Sequence, residues 1–129
     1  MNDTPYANFL AIREDKDADG NPICVMNPSD TAFGREGVMH GGAIAALLQA
    51  AGKHAVVHAL KAAGNASEPT VSTVSITVDY LRPGKMTANR AIARIVKLGA
   101  RVANLTVQAW NDDPKKPFAT AKLTMGIQR

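Results

Sequence analysis

Gly41-Gly-Ala-Ile-Ala-Ala-Leu-Leu-Gln-Ala-Ala-Gly-Lys-His-Ala-Val-Val-His-Ala-Leu-Lys-Ala-Ala63 is the most apolar stretch of the 129-residue chain. Alanine, leucine, isoleucine and valine dominate it, and Gly64-Asn65 behind it supplies a good C-terminal stop. The stretch predicts one helix from His40 or Gly41 to Ala63, about 30 to 35 Å long at 1.5 Å per residue. Its polar residues, Gln49, Lys53, His54, His58 and Lys61, make it a poor membrane span and leave almost no wholly polar face. A helix apolar nearly all round must be wrapped by other structure.

Downstream the period changes to two. From Val71, the residues Val74, Ile76, Val78 and Tyr80 fall on one side and Ser75, Thr77 and Asp79 on the other, a strand closed by Pro83-Gly84. Three further strands are predicted over Ala91 to Leu98, Val102 to Trp110 and Phe118 to Ile127. Gly99-Ala100 and the segment from Asn111 to Pro117 separate them, and such short connections force antiparallel neighbours.

Upstream, Thr4-Pro5 followed by Tyr6, Phe9 and Leu10 predicts a short amphipathic helix. Asp15-Lys-Asp-Ala-Asp-Gly-Asn-Pro22 reads as a turn, and Ile23, Val25 and Met26 as a first strand ended by Asn27-Pro28-Ser29-Asp30. A loop with Gly34 and Gly37 leads into the helix. One long buried helix can be covered by these strands only if an antiparallel sheet curls around it, which is the α+β architecture called the hotdog. A single copy leaves a sheet edge open, so a homodimer or a dimer of dimers is expected.

Composition narrows the function classes. The length, 129 residues, fits a single domain over residues 1–129, and 46% apolar with 20% charged residues is ordinary for a globular protein, which sets aside disordered and fibrous classes. The lone Cys24 cannot form an internal disulfide, and the first residues carry neither a basic nor a long apolar segment, so a cytoplasmic location is expected. A net charge of +4 suits an anionic partner. Basic residues are spread along the chain without an aromatic platform, which argues against nucleic acid and for a phosphorylated small molecule.

The segment Phe33-Gly-Arg-Glu-Gly-Val-Met-His-Gly-Gly-Ala-Ile-Ala-Ala-Leu-Leu-Gln49 carries the chemistry. Gly41 and Gly42 let a substrate carbonyl approach the backbone at a helix start, where amides carry partial positive charge. The segment resembles the His-Gly-Gly region of hotdog acyl-CoA thioesterases of the phenylacetate-pathway type, within the 4-hydroxybenzoyl-CoA thioesterase superfamily. The likeness continues through Tyr80-Leu-Arg-Pro83 and Val96-Lys-Leu-Gly99, from about Phe33 to the C-terminus.

That resemblance implies a hydrolase of acyl- or aryl-CoA with no cofactor beyond the CoA of its substrate. The amide of Gly42 would hold the oxyanion, with His40 beside it and Gly41 against the substrate. Thr73 matches a hydroxyl that holds the attacking water. Arg82 would grip nucleotide phosphates, assisted by Lys85 and Arg101. The family's helical carboxylate is replaced here by Gln49, whose amide can orient water but cannot take its proton. Hydrolysis therefore stands against a second reading, acyl-CoA binding with little turnover. Glu36 and Asp79 are the carboxylates that could substitute.

Two other patterns resolve to structure. Asp15-x-Asp-x-Asp-Gly20 imitates a calcium loop, but Met26 stands where a bidentate glutamate is required and Pro22 interrupts the path. His54 and His58 have zinc-ligand spacing without a third ligand, and no metal is expected.

Overall fold

A computed structural model describes residues 12–27, 33–35, 38–39, 41–64, 69–85 and 87–128, the segments 33–35 and 38–39 by backbone alone. Chain order is β1 (Ile12–Lys16), β2 (Pro22–Met26), β3 (Phe33–Arg35), β4 (Val38–Met39), α1 (Gly41–Ala62), β5 (Thr70–Tyr80), β6 (Asn89–Leu98), β7 (Val102–Trp110) and β8 (Ala119–Gln128). Six strands form one antiparallel sheet in the order β1-β2-β6-β7-β8-β5, and β3 pairs with β4 separately. The helix lies against every strand of the larger sheet. It carries the chain from β2 to the opposite edge, β5.

The sheet's inner face explains the apolar helix. Ala91, Ala103, Leu105, Val107, Ala109, Ala119, Ala121, Leu123, Met125 and Ile127 close over Ile44, Leu47, Leu48, Ala51, Val56 and Leu60. Small residues on the central strands let the helix approach closely. At Gly52 a β-carbon would run into the buried side chain of Leu123, so this glycine is set by packing rather than by turn geometry. The helix has the length and hydropathy of a membrane span, but 61% of that window is buried within the protein.

Three sequence expectations change. The predicted turn from Asp15 to Pro22 begins too early, because Asp15 and Lys16 belong to β1, where they pair with Ile23 and Pro22. Strand β1 has four charged residues in five, which hides its period; only Ile12 and Glu14 turn inward. The turn itself is held by Asp17, whose carboxylate accepts the backbone N–H of Asn21 at 2.8 Å and of Asp19 at 3.0 Å, with Gly20 at φ 83°. The bond from the Asn21 backbone holds the Asp17 carboxyl below its ordinary pKa. Its contribution to the turn is complete above the ordinary aspartate range and is lost as pH falls through the lowered folded value.

Val74 is the second change. A bulge between Thr73 and Ser75 shifts the phase of β5, so the inward set is Val71, Thr73, Ile76 and Val78, and Val74 is left 66% exposed. Third, residues predicted as a loop before the helix contain the β3–β4 pair. Strand β6 likewise has a bulge, between Ile95 and Lys97, that leaves Val96 equally exposed. The helix expected at Thr4 to Leu10 lies outside the described residues.

Cys24 faces the core opposite Glu14, fully buried and unpaired. Burial, with Glu14 adding to it, pushes its thiol up to about 12. A thiol-specific chromogenic reagent at neutral pH should therefore leave Cys24 unmodified in the native protein and react stoichiometrically in denaturant. Rapid native labelling would show the β1–β2 hairpin opening on its own. His54 extends from the helix to the same hairpin, its Nδ1 3.3 Å from Glu14, and His58 is exposed. Among the described residues no group of three metal-ligating side chains exists.

Candidate active site

The start of α1 meets the end of β5. The Tyr80 hydroxyl donates to the Gly41 carbonyl at 3.1 Å, and its ring lies along Gly41. A β-carbon at Gly41 would stand 3.5 Å from the Tyr80 oxygen, an ordinary contact. Among the described residues nothing in the packing demands glycine there. Gly41 is exposed and Gly42 half-buried, which leaves room for a ligand at the helix start. Gly42 lies in the first turn, at the positive end of the helix dipole.

Gln49 follows Gly42 by two helical turns on the same side, half-buried. Its Nε2 donates to the Ala45 carbonyl at 3.2 Å, which folds the side chain back along its own helix. Seven residues separate the two positions, about 10 Å along the axis. Thr73 is half-buried on the face of β5 turned to the helix and pairs with Met125, which packs near Gly52 one turn beyond Gln49. Thr73 thus reaches the space between α1 and β5 near the middle of the helix, roughly 20 Å along the strand from Tyr80 and Gly41, and Gln49 lies between the two along the helix. His40 and Glu36 lie outside the described residues. Asp79 does not share that space. Its neighbours Val78 and Tyr80 turn toward the helix, so it points the other way, into a trough of about 440 Å³ on the outer sheet face with Arg94, Gln108 and Lys122.

Beyond Tyr80 the chain bends at Leu81 and Arg82, both held by the Phe118 carbonyl. Arg82, Lys85 and Lys116 then line a cleft of about 130 Å³ together with Asn111, Asp112, Asp113 and Phe118. The Arg82 guanidinium has no partner among the described residues, and the Lys85 amine is 4.0 Å from the Asp112 carboxylate in a solvated pair of little strength. Arg101 is placed elsewhere. It sits in the β6–β7 hairpin, at the far end of strands whose near end carries Asn89 and Asn111, so about nine residues of strand, roughly 30 Å, lie between.

Two buried asparagines that sequence reading passed over shape this cleft. Asn111 donates to Asn89 Oδ1 at 2.9 Å and to the Ala88 carbonyl at 3.3 Å, and accepts the Lys85 backbone N–H at 3.1 Å. Asn89 in turn donates to the Thr87 carbonyl at 2.9 Å. One side chain thereby ties the loop bearing Arg82 and Lys85 to the loop bearing Lys116. The available signal was weak, since an asparagine beside Asp112 and Asp113 reads as turn chemistry. Asn111→Ala should cost about 1 to 2 kcal/mol, because it strands the Lys85 amide and takes one bond from Asn89 in a place that water reaches only partly. Thermal melting checks this, and an unchanged melting temperature would show that the loops hold themselves.

Residues 29–126 match the family model of the acyl-CoA thioesterase N-terminal domain. Solved structures agree on the fold. A Bacillus halodurans protein crystallised with CoA has a TM-score of 0.79 at 20% identity, over 98% of this chain and 80% of that one. A Haemophilus influenzae thioesterase gives 0.80 at 20% identity, over 98% and 85%. A Chromobacterium violaceum protein gives 0.69 at 28% identity, over 98% and 85%. No curated protein sequence matches the chain.

Proposed function

Since the chain belongs to the acyl-CoA thioesterase N-terminal domain family and has its hotdog fold, we propose that it hydrolyses an acyl- or aryl-CoA thioester to the free acid and CoA in the cytoplasm. One observation carries the reading: a glycine-rich helix start at Gly41 and Gly42 is joined through Tyr80, two residues before Arg82, to a cleft that carries three basic side chains and two aspartates. Tyr80 touches the first and Arg82 lines the second. The thioester carbonyl is polarised by the Gly42 amide beside His40, Gly41 gives it room, and Thr73 steadies the attacking water. Arg82 and Lys85 take the nucleotide phosphates, as charge-assisted contacts favour. CoA in the Bacillus halodurans relative supports this ligand class.

The site needs a second copy. About 10 Å of helix between Gly42 and Gln49 exceeds the reach of a glutamine side chain, so the two address one carbonyl best when they come from different subunits. The edges of the sheet favour the same arrangement. Strand β1 is guarded by Arg13, Glu14, Asp15 and Lys16, whereas β5 has one charge in 11 residues, Asp79, and leaves Val74, Tyr80 and, just beyond, Leu81 exposed. A homodimer paired along β5, or a dimer of such dimers, covers them. In such an assembly Arg101 serves a ligand held mainly by the partner. Light scattering at micromolar concentration should give at least twice the chain mass, and a monomer throughout would remove the shared site.

Gln49 supports a second reading, in which the protein binds acyl-CoA and releases it unhydrolysed. Free thiol appearing over a panel of CoA thioesters favours hydrolysis. Thermal stabilisation by the same panel without thiol release favours binding alone.

A further inference from the structure

Lys53 is the lysine that the fold does not leave in water. All eight lysines of the chain lie among the described residues, and seven are exposed, whereas Lys53 is half-buried. Partial burial strips water from an ammonium, a cost that proteins offset with a carboxylate or a set of acceptors. Lys53 has neither, since it makes no hydrogen bond or ion pair among the described residues. The adjacent His54 turns to Glu14 on β1, and successive helical residues point about 100° apart, so Lys53 faces a different way from that carboxylate.

Lys53 shares the side of α1 that carries Gln49. Ala46, Gln49 and Lys53 recur three and four residues apart, and all three are half-buried, so they form one stripe along the helix. Helical side chains lean toward the N-terminus, so the Lys53 stem runs back over the turn that carries Gln49. We propose that Lys53 selects the acyl group: its ammonium takes a carboxylate at the far end of the acyl chain, so the preferred substrates are monothioesters of dicarboxylic acids. The proposal rests on the reading above, which puts the thioester carbonyl beside Gln49. Residues one turn apart have Cβ atoms about 5 to 6 Å apart, roughly the separation of the two carboxyl carbons in a chain of about five or six carbons. The pantetheine arm holds the nucleotide phosphates far from the thioester, so an anion that reaches Lys53 belongs to the acyl group. A distal carboxylate supplies the partner that the half-buried ammonium lacks, whereas a neutral acyl chain leaves it unpaired.

Glutaryl-CoA and pentanoyl-CoA test this, because their acyl chains are equally long and differ only in the distal carboxylate. With the full-length protein, kcat/KM should favour the glutaryl ester by roughly ten- to a hundredfold, the usual value of a charge-assisted contact. Lys53→Met keeps the bulk of the stem and should bring the ratio toward parity, chiefly through KM for the glutaryl ester. Lys53→Arg keeps the charge and should retain part of the preference. Calorimetric titration with the non-hydrolysable thioether analogues of both esters reads the same preference without turnover, and melting temperatures check folding. A wild type indifferent to the carboxylate, or a preference that survives in Lys53→Met, overturns the proposal. An equal loss for both esters overturns it as well, and makes Lys53 part of the fold or of the cleavage step. Preferential binding of the glutaryl analogue with no thiol released from any ester strikes the hydrolase reading and leaves the selectivity of Lys53 standing.

Discussion

Gln49→Glu should raise thioester hydrolysis at least about tenfold, toward the hundredfold or more that general-base assistance commonly contributes. The amide now in place donates to the Ala45 carbonyl and lies back along its helix. A carboxylate cannot make that donation, and repulsion from the same carbonyl oxygen turns it away from the helix, toward the site proposed to form with a second copy. There it can accept a proton from water while the Gly42 amide holds the developing oxyanion. The gain should appear in kcat, since the change is nearly isosteric and acts on the transition state more than on binding. Gln49→Ala should give no such gain. Steady-state kinetics on the best thioester of the panel checks both. An unchanged rate in a folded variant that still binds acyl-CoA would place the base elsewhere, with Glu36 the remaining candidate because Asp79 faces the outer side of the sheet.

Arg82→Ala should weaken binding of CoA esters by about 1.5 to 3 kcal/mol, roughly ten- to a hundredfold, the usual value of a charge-assisted contact. Acyl-pantetheine analogues lack the nucleotide phosphates and should bind almost as before. The variant should melt normally, because the guanidinium makes no hydrogen bond or ion pair among the described residues and the fold holds the position through its backbone, by the bond from the Arg82 N–H to the Phe118 carbonyl. Calorimetric titration of both ligand classes distinguishes the outcomes. Equal losses would make Arg82 a structural residue and move phosphate recognition to Lys85 and Lys116.

The two variants probe opposite ends of one path. On the proposed reading, Gln49 and Thr73 serve the end where the acyl group is cleaved and Arg82 the end that takes the nucleotide of CoA. The buried pair of Asn89 and Asn111 keeps the outer end of that path in register with β6 and β7. Loosening the asparagine pair should therefore blur the difference between the two ligand classes without altering the cleavage step.

Local rules were enough for much of this architecture. A helix without a polar face, strands of period two and short connections between them dictated an antiparallel sheet curled around α1, and the predicted helix end at Ala63 lies one residue from the observed Ala62. The glycines before the helix and the basic residue after β5 were legible too, because backbone approach and charge are properties of single residues. Tertiary structure decided the rest. Strand β1 is mostly charged and becomes a strand only because β2 offers it a ladder. Val74 faces solvent because a bulge, a property of two strands in register, reverses the phase that alternation implied. Arg101 and Arg82 are both basic residues beside strands, yet strand length carries them to opposite ends of the sheet. The bonds of Tyr80 to Gly41 and of Asn111 to Asn89 join residues 39 and 22 positions apart. Local preference has no means of encoding such distances; they exist only once the sheet has closed over the helix.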